Sequence, residues 1–167
     1  LLPRNFLVVE GKSEWEFLSK VIKRFYSDRP TVQIVYGEGD HRELERSMYA
    51  INKAFAALHG SPVYRDKLII VCDLPHATRQ SDFDEFCRSY AGVISGNRLF
   101  KLETACLEMY YPAQWRVTEE RVRQMQQEQN SKIQLARKVA DEITQEIFER
   151  DMPIIFGALQ KCWELAY

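Results

Sequence analysis

The sequence predicts an α/β fold in which a mostly parallel sheet is flanked by helices. Short apolar runs over residues 5–10 and 67–72 contain almost no polar residues, which is typical of strands covered on both faces. Segments with apolar residues at helical spacing alternate with these runs. The resulting order β-α-β-α-β-α indicates parallel strands that are joined by crossover helices.

The first strand and helix contain the most informative residues of the chain. The predicted strand over residues 5–10 ends at Glu10 and Gly11, and helical spacing begins at Ser13 and continues to about residue 26. We expect Ser13 to be the N-cap, because serine side chains accept hydrogen bonds from the first helical amides. Glu14 then lies in the first turn, where the helix dipole favours acids.

The remaining elements of the first two thirds follow the same alternation. The predicted strands cover residues 31–36, residues 67–72 and a short part of 92–101, and the predicted helices cover residues 41–58 and 81–90. Ser81 is the expected N-cap of the latter helix.

After residue 112 the character of the sequence changes. Residues 117–130 are charged and rich in glutamine, which allows two interpretations, an exposed helix or a mobile insert. Residues 133–148 regain helical spacing, and Pro153 opens a final helix. We expect residues 1–112 to form the α/β core and residues 113–167 to complete the same domain. Because the chain begins without methionine and ends within a helical pattern, a fragment of a longer protein is expected.

Composition excludes several classes of protein. A hydrophobic content of 46% with 12% aromatics is too high for a disordered chain. The net charge of -1 gives no overall attraction to nucleic acid, although a local basic patch remains possible. Four cysteines without a CxxC pair favour a reduced, cytoplasmic protein over a zinc site or a disulfide framework. Neither a signal peptide nor a long apolar span indicates a membrane location.

Two predicted strands each end in an acid, Glu10 and Asp73. Ligands of open α/β sheets bind at the carboxyl ends of strands, where the chain leaves the core. Glu14 follows Glu10 by one helical turn and can return toward it, and hard cations such as Mg²⁺ prefer carboxylate oxygens. These positions predict a divalent-metal site. The alternative is that Glu14 only favours the helix N-terminus and that Glu10 is a surface residue.

Other candidates carry less specific signals. Gly11, Lys12 and Ser13 are similar to the end of a P-loop, but Phe6 stands where that motif needs glycine, so a P-loop is excluded. Lys12 remains a candidate phosphate contact or an ordinary exposed lysine. Lys132 could neutralise charge on a phosphate or be a solvated helix residue.

An acidic and aromatic segment over residues 102–112 offers a further set. Glu103 and Glu108 could face one cleft, and Tyr110 and Tyr111 could stack on a nucleotide. The alternative, which we favour for the apolar residues and one tyrosine, is a place in the core.

Several segments together resemble the Toprim domain of nucleases of the OLD (overcoming lysogenization defect) family. The first is Leu7-Val-Val-Glu10-Gly11-Lys-Ser-Glu14. The resemblance continues through residues 36–39, 69–73 and 107–112, and through residues 131–136 before the closing helices. It therefore covers most of the chain, although each motif is short.

This resemblance implies metal-dependent cleavage of DNA or RNA, often in anti-phage defence. It implies that Glu10, Glu14 and Asp73 hold Mg²⁺ or Mn²⁺, that Glu108 is an additional acid, and that Lys132 contacts the scissile phosphate. It also implies a homo- or hetero-oligomer that works with an ABC-type ATPase domain in the same chain or in a separate subunit.

One residue departs from the Toprim pattern. Toprim domains usually carry an Asp-x-Asp pair, and Pro75 stands at the place of the second acid after Asp73. Asp82 is the candidate substitute, although its position in the first turn of a helix also favours a merely solvated acid. Because of this departure, a second hypothesis is a catalytically degenerate module that binds or assembles. A more distant third hypothesis is an enzyme that acts on a small phosphorylated molecule.

Overall fold

The computed structural model describes residues 5–36, 55–56, 58–61 and 64–166. Within them, four strands form a sheet in the order β2-β1-β3-β4, and every neighbouring pair is parallel. This confirms the predicted α/β class and parallel sheet. The strands are β1 (Phe6–Val9), β2 (Gln33–Tyr36), β3 (Leu68–Cys72) and β4 (Leu99–Lys101).

Helices cover both faces of this sheet. In the described residues they are α1 (Lys12–Phe25), α2 (Gln80–Ser89), α3 (Ala91–Ser95), α4 (Leu107–Tyr110), α5 (Glu119–Gln127), α6 (Ser131–Glu142), α7 (Gln145–Asp151) and α8 (Pro153–Glu164). The predicted helix over residues 41–58 lies for the most part outside the described residues.

The alternation of side chains along the strands builds two separate cores. Leu7 and Val9 of β1 face the core formed with α1, α6 and α8. Phe6 and Val8 point to the opposite face, where Phe55 and the aromatic residues of α2 pack. Because both faces of each strand are covered, the strands are apolar throughout, which is the pattern that identified them in the sequence.

Three local predictions were wrong. Helix α1 begins at Lys12 with Gly11 as its N-cap, and α2 begins at Gln80 with Arg79 as its N-cap, so neither Ser13 nor Ser81 caps a helix. The predicted helix over residues 133–148 is broken into α6 and α7. The hydroxyl of Thr144 accepts a hydrogen bond from the Ile147 amide and starts α7 as a separate helix.

The segment after residue 112 packs into the core on the α1 side of the sheet. The sequence allowed an exposed helix or a mobile insert over residues 117–130, and the structure contains a helix there. This helix, α5, buries Val122 and Met125 and is capped by Thr118. Pro153 opens the last helix as predicted. No helix of the described residues has the length and apolar character that crossing a membrane requires, and all four cysteines are free thiols.

Candidate functional site

Glu10 and Asp73 lie at the switch point of the sheet. The chain leaves β1 toward β2 on one side and later returns to β3 on the other side, and crevices of this kind, at the carboxyl ends of the strands, are where open α/β sheets bind ligands. Glu10 follows the last residue of β1 and Asp73 follows the last residue of β3. The Asp73 amide donates a hydrogen bond of 2.8 Å to Oε1 of Glu10.

Glu14 and Glu108 form a second pair of carboxylates beside the first. Helix α1 starts directly after Gly11, so its first turn brings Glu14 back toward the end of β1. The Ser13 hydroxyl donates to Oε2 of Glu14 at 3.2 Å and lies 3.4 Å from Oε1 of Glu108 on α4. We call Glu10, Glu14, Asp73 and Glu108 the carboxylate cluster.

Gly11 gives the cluster room. A Cβ atom at this position would lie 3.3 Å from Oε2 of Glu14, closer than ordinary van der Waals contact. A side chain at residue 11 would therefore press on the Glu14 carboxylate.

Burial sets the electrostatics of the carboxylate cluster. Glu14, Asp73 and Glu108 are exposed by only 7%, 8% and 2%. Burial, the largest cause, acts together with the charges of Glu108 and Glu10 to raise the pKa of Glu14 to about 7, and Lys132 opposes them. The pKa of Asp73 is also raised well above its ordinary value, first by burial and then by Glu10. The site therefore holds more negative charge than the chain stabilises by itself.

Lys132 reaches the cluster because α6 packs along α1. Two ion pairs join the helices, between Glu16 and Arg137 at 3.0 Å and between Lys20 and Asp141 at 2.5 Å. Lys132 lies in the first turn of α6, half-buried, and is close enough to lower the pKa of Glu14. The structure thus brings together the predicted acids and the predicted lysine.

The other candidates lie elsewhere or are core residues. Asp82 is exposed on α2 and forms an ion pair with Arg79 at 3.3 Å. It is not among the main groups that raise the pKa of Glu14 or of Asp73. Lys12 is exposed at the start of α1. The core alternative placed one tyrosine of this segment in the core, and the structure buries both Tyr110 and Tyr111, so neither ring presents an open face for stacking.

Glu103, by contrast with Glu108, is exposed rather than buried in the cluster.

The donor set suits a divalent cation in its chemistry, because carboxylate oxygens with excess negative charge are what Mg²⁺ and Mn²⁺ prefer. In their present positions the four acids form two pairs. Across the part of the chain that the structure describes, no three His, Cys, Asp or Glu side chains are grouped so that they could hold a metal ion together. For a cation to bind ligands from both pairs, the two pairs of carboxylates would have to move toward each other.

A cavity of about 550 Å³ lies at the opposite end of α1 and includes none of the predicted site residues. Its lining includes Tyr26, Glu149 and Trp163. The Glu149 carboxylate accepts hydrogen bonds from the Tyr26 hydroxyl at 2.8 Å and from the Gln145 amide at 3.2 Å. Glu149, the acid that these contacts describe, is therefore already hydrogen-bonded to other residues of the chain.

Two features of the site were missed in the sequence. Ser13 joins Glu14 to Glu108 instead of capping the helix, and no local signal indicates this because Glu108 is distant in sequence. Trp15 fits the helical spacing of the apolar residues in α1, yet 37% of its surface is exposed. Its position directly after Glu14 was the available signal.

Comparison of the chain with protein-family models, with curated proteins and with solved structures yields no match.

Proposed function

We propose that this domain is a metal-dependent nuclease of the Toprim type that hydrolyses phosphodiester bonds of DNA or RNA. The observation that carries the proposal is that two pairs of carboxylates lie at the switch point of a parallel sheet, with Lys132 close enough to act on Glu14. Three of the carboxylates are buried at a cost in free energy, and the raised pKa values of Glu14 and Asp73 express that cost. A divalent cation would offset it.

Each residue of the site has a proposed role. Glu10, Asp73, Glu14 and Glu108 hold Mg²⁺ or Mn²⁺, and Glu10 acts either as a ligand or as the general base. A bound cation supplies polarisation of the phosphate and a lower pKa for a coordinated water. Lys132 places its ammonium group beside the carboxylates and balances negative charge on the phosphate.

Lys12, exposed at the start of α1, is a proposed further contact to the phosphate backbone.

The biological setting that we propose rests on the resemblance to OLD-family nucleases. The domain would act in the cytoplasm, in anti-phage defence, as part of a homo- or hetero-oligomer. Its activity would depend on an ABC-type ATPase domain in the same chain or on a separate ATPase subunit.

A second candidate function is a degenerate Toprim module that binds or assembles without cutting. Two observations favour it. Pro75 replaces the second acid of the Toprim pair. Asp82, the candidate substitute, is engaged with Arg79 on the exposed side of α2. The two functions differ in one measurable property, which is the affinity of the carboxylate cluster for a divalent cation.

The first experiment therefore measures Mn²⁺ binding by electron paramagnetic resonance and Mg²⁺ binding by calorimetry. The chain is compared with Glu10→Gln and Asp73→Asn, and Glu120→Gln, an exposed acid on α5, is the matched control. We expect binding by the wild type and by the control, and a loss of at least tenfold in affinity in both cluster variants. Absence of binding at millimolar cation would contradict the nuclease proposal and favour the assembly module.

The second experiment is cleavage of plasmid DNA and of total RNA with Mg²⁺ and then with Mn²⁺. Cutting by the wild type that disappears in Glu10→Gln and in Lys132→Ala would establish both the activity and the substrate. If a chain that binds cation stays inert even when an ATPase partner and ATP are supplied, the loss of the second acid has abolished catalysis.

A further inference from the structure

Two of the large hydrophobic side chains that are exposed in the described residues directly follow an acid of the carboxylate cluster in the sequence. Trp15 follows Glu14 and is 37% exposed, and Leu74 follows Asp73 and is 42% exposed. A third, Ile94, lies on α3. Single exposed apolar residues are common on protein surfaces, so exposure alone does not assign a role to Trp15. Its surroundings do.

Trp15 stands beside a second aromatic ring at the same edge of the sheet. The centroids of the Trp15 and Tyr36 rings are 6.3 Å apart, and the rings are tilted by 53°. Tyr36 is the last residue of β2 and pairs in register with Val9, which immediately precedes Glu10. The two rings and the carboxylates therefore share the carboxyl edge of the sheet. Because the rings do not stack face to face, neither covers the full face of the other.

Electrostatics alone would give this site little affinity for nucleic acid. The chain has a net charge of -1, and the carboxylate cluster adds local negative charge next to the place where a phosphate would bind. Proteins that bind polyanions without sequence preference normally rely on positive charge. A base that stacks on an aromatic ring adds affinity that does not depend on charge.

We infer that Trp15, supported by Tyr36, is a stacking subsite for an unpaired nucleobase beside the carboxylate cluster. The substrate class that follows is single-stranded or locally unpaired nucleic acid, because the bases of an intact duplex are already paired and stacked. This inference rests on the proposed function and specifies its substrate. The subsite takes over the stacking role that the buried Tyr110 and Tyr111 do not perform.

The test measures binding separately from cleavage. Fluorescence anisotropy of labelled octathymidylate, octauridylate and a hairpin duplex is recorded with Ca²⁺ in place of Mg²⁺, and again in EDTA. We expect the wild type to bind at least one of the single strands more tightly than the duplex. Trp15→Ala weakens single-strand binding about tenfold, and Trp15→Phe, which keeps an aromatic face, retains most of it. Ile94→Ala is the matched control and leaves affinity unchanged.

The salt dependence of binding distinguishes stacking from a change in charge. Trp15→Ala should lower affinity without altering the slope of log affinity against log salt, whereas Lys12→Ala should reduce that slope by about one. Quenching of tryptophan emission by octathymidylate should be weaker in Trp15→Phe than in the wild type. Circular dichroism melts of both Trp15 variants establish that they fold.

Equal binding of single strand and duplex, or unchanged affinity in a folded Trp15→Ala, would overturn the inference. These outcomes differ from failure of the proposed function. Single-strand binding through Trp15 without any cleavage leaves the subsite in place and removes the nuclease. Cleavage together with unchanged single-strand affinity in Trp15→Ala would support the nuclease proposal and contradict the stacking subsite.

Discussion

Within the residues that the structure describes, buried charge occurs in two regions, which differ in how that charge is stabilised. Arg98 is 7% exposed, and its guanidinium donates to the carbonyl oxygens of Arg65 and Leu68 at 3.0 Å each and of Gly92 at 3.4 Å. Three acids of the carboxylate cluster are buried to a similar degree, but the groups near them include other acids. In the first region, burial lowers the pKa of Arg98, but backbone carbonyl groups accept hydrogen bonds from its guanidinium. In the second region, burial raises the pKa of the acids, and neighbouring acids raise it as well.

The difference agrees with a structural role for Arg98 and with the proposed cation-binding role of the carboxylate cluster. A buried charge whose partners lie within the chain fixes local geometry and needs nothing further. A buried group of like charges lowers stability, and it is useful when a bound cation can stabilise it. The following predictions test that distinction, from the largest expected effect to the smallest.

Replacing the satisfied charge should damage the fold most. Arg98→Met removes the donor from three carbonyl oxygens, so we expect the free energy of unfolding to fall by about 3 kcal/mol. Urea denaturation measures the change. The control is Arg88→Met on the exposed side of α2, which should change stability by less than about 0.5 kcal/mol. An Arg98 variant as stable as the wild type would contradict the structural role.

The carboxylate cluster should make the cation-free protein less stable as pH rises. The pKa of Glu14 is raised from 4.5 to about 7 in the folded state, so the folded protein binds more protons than the unfolded chain between these values. The free energy of unfolding should therefore fall by about 3 kcal/mol from pH 4.5 to pH 7.5 in EDTA. Glu14→Gln should flatten this dependence and raise stability at pH 7.5.

The same pH series in Glu120→Gln, which changes an exposed acid, should match the wild type. A wild-type stability that stays level or rises over this interval in EDTA would show that the cluster is not strained.

Adding Mg²⁺ should offset the strain in the cluster and leave the Arg98 region unaffected. At a cation concentration ten times the dissociation constant, we expect about 1.4 kcal/mol of added stability. The Arg98→Met variant should gain the same increment, and Glu10→Gln should gain almost none. Thermal melts with and without Mg²⁺ measure the difference, and an equal gain in Glu10→Gln would argue against this site.

Asp82→Asn should have the smallest effect. Its ion pair with Arg79 joins two side chains that are 52% and 40% exposed, and such pairs contribute less than about 0.5 kcal/mol. We expect unchanged unfolding and unchanged Mn²⁺ affinity. A loss of cation binding in this variant would identify Asp82 as the substitute for the acid that Pro75 replaces.

The sequence was sufficient to predict features that depend on local pattern. The strands were found because a strand covered on both faces is apolar at every position, as in Leu68–Cys72. Glu10 and Asp73 were paired correctly because the carboxyl ends of neighbouring parallel strands meet at one edge. Pro153 was placed at a helix start because proline suits the first helical turn.

Features that depend on distant contacts could not be predicted in this way. The hydroxyl of Ser13 contacts Glu108, and Arg98 donates hydrogen bonds to carbonyl groups of other segments. No local sequence pattern indicates either contact. The break before α7 was missed because the apolar spacing continues through Ile143, and only the capping hydroxyl of Thr144 marks it. Trp15 fits the helical spacing of α1 but lies outside its buried face.

The packing of α6 against α1 has a consequence for the newly synthesised protein. Glu10, Glu14 and Asp73 leave the ribosome well before Lys132, and the carbonyl groups of Ala140 and Ile143, to which Arg24 of α1 donates, emerge later still. Until those residues dock, α1 has no neighbour on that side and the acids have no lysine. A nascent chain thus cannot bring Lys132 to the carboxylate cluster before α6 has been synthesised and has packed against α1.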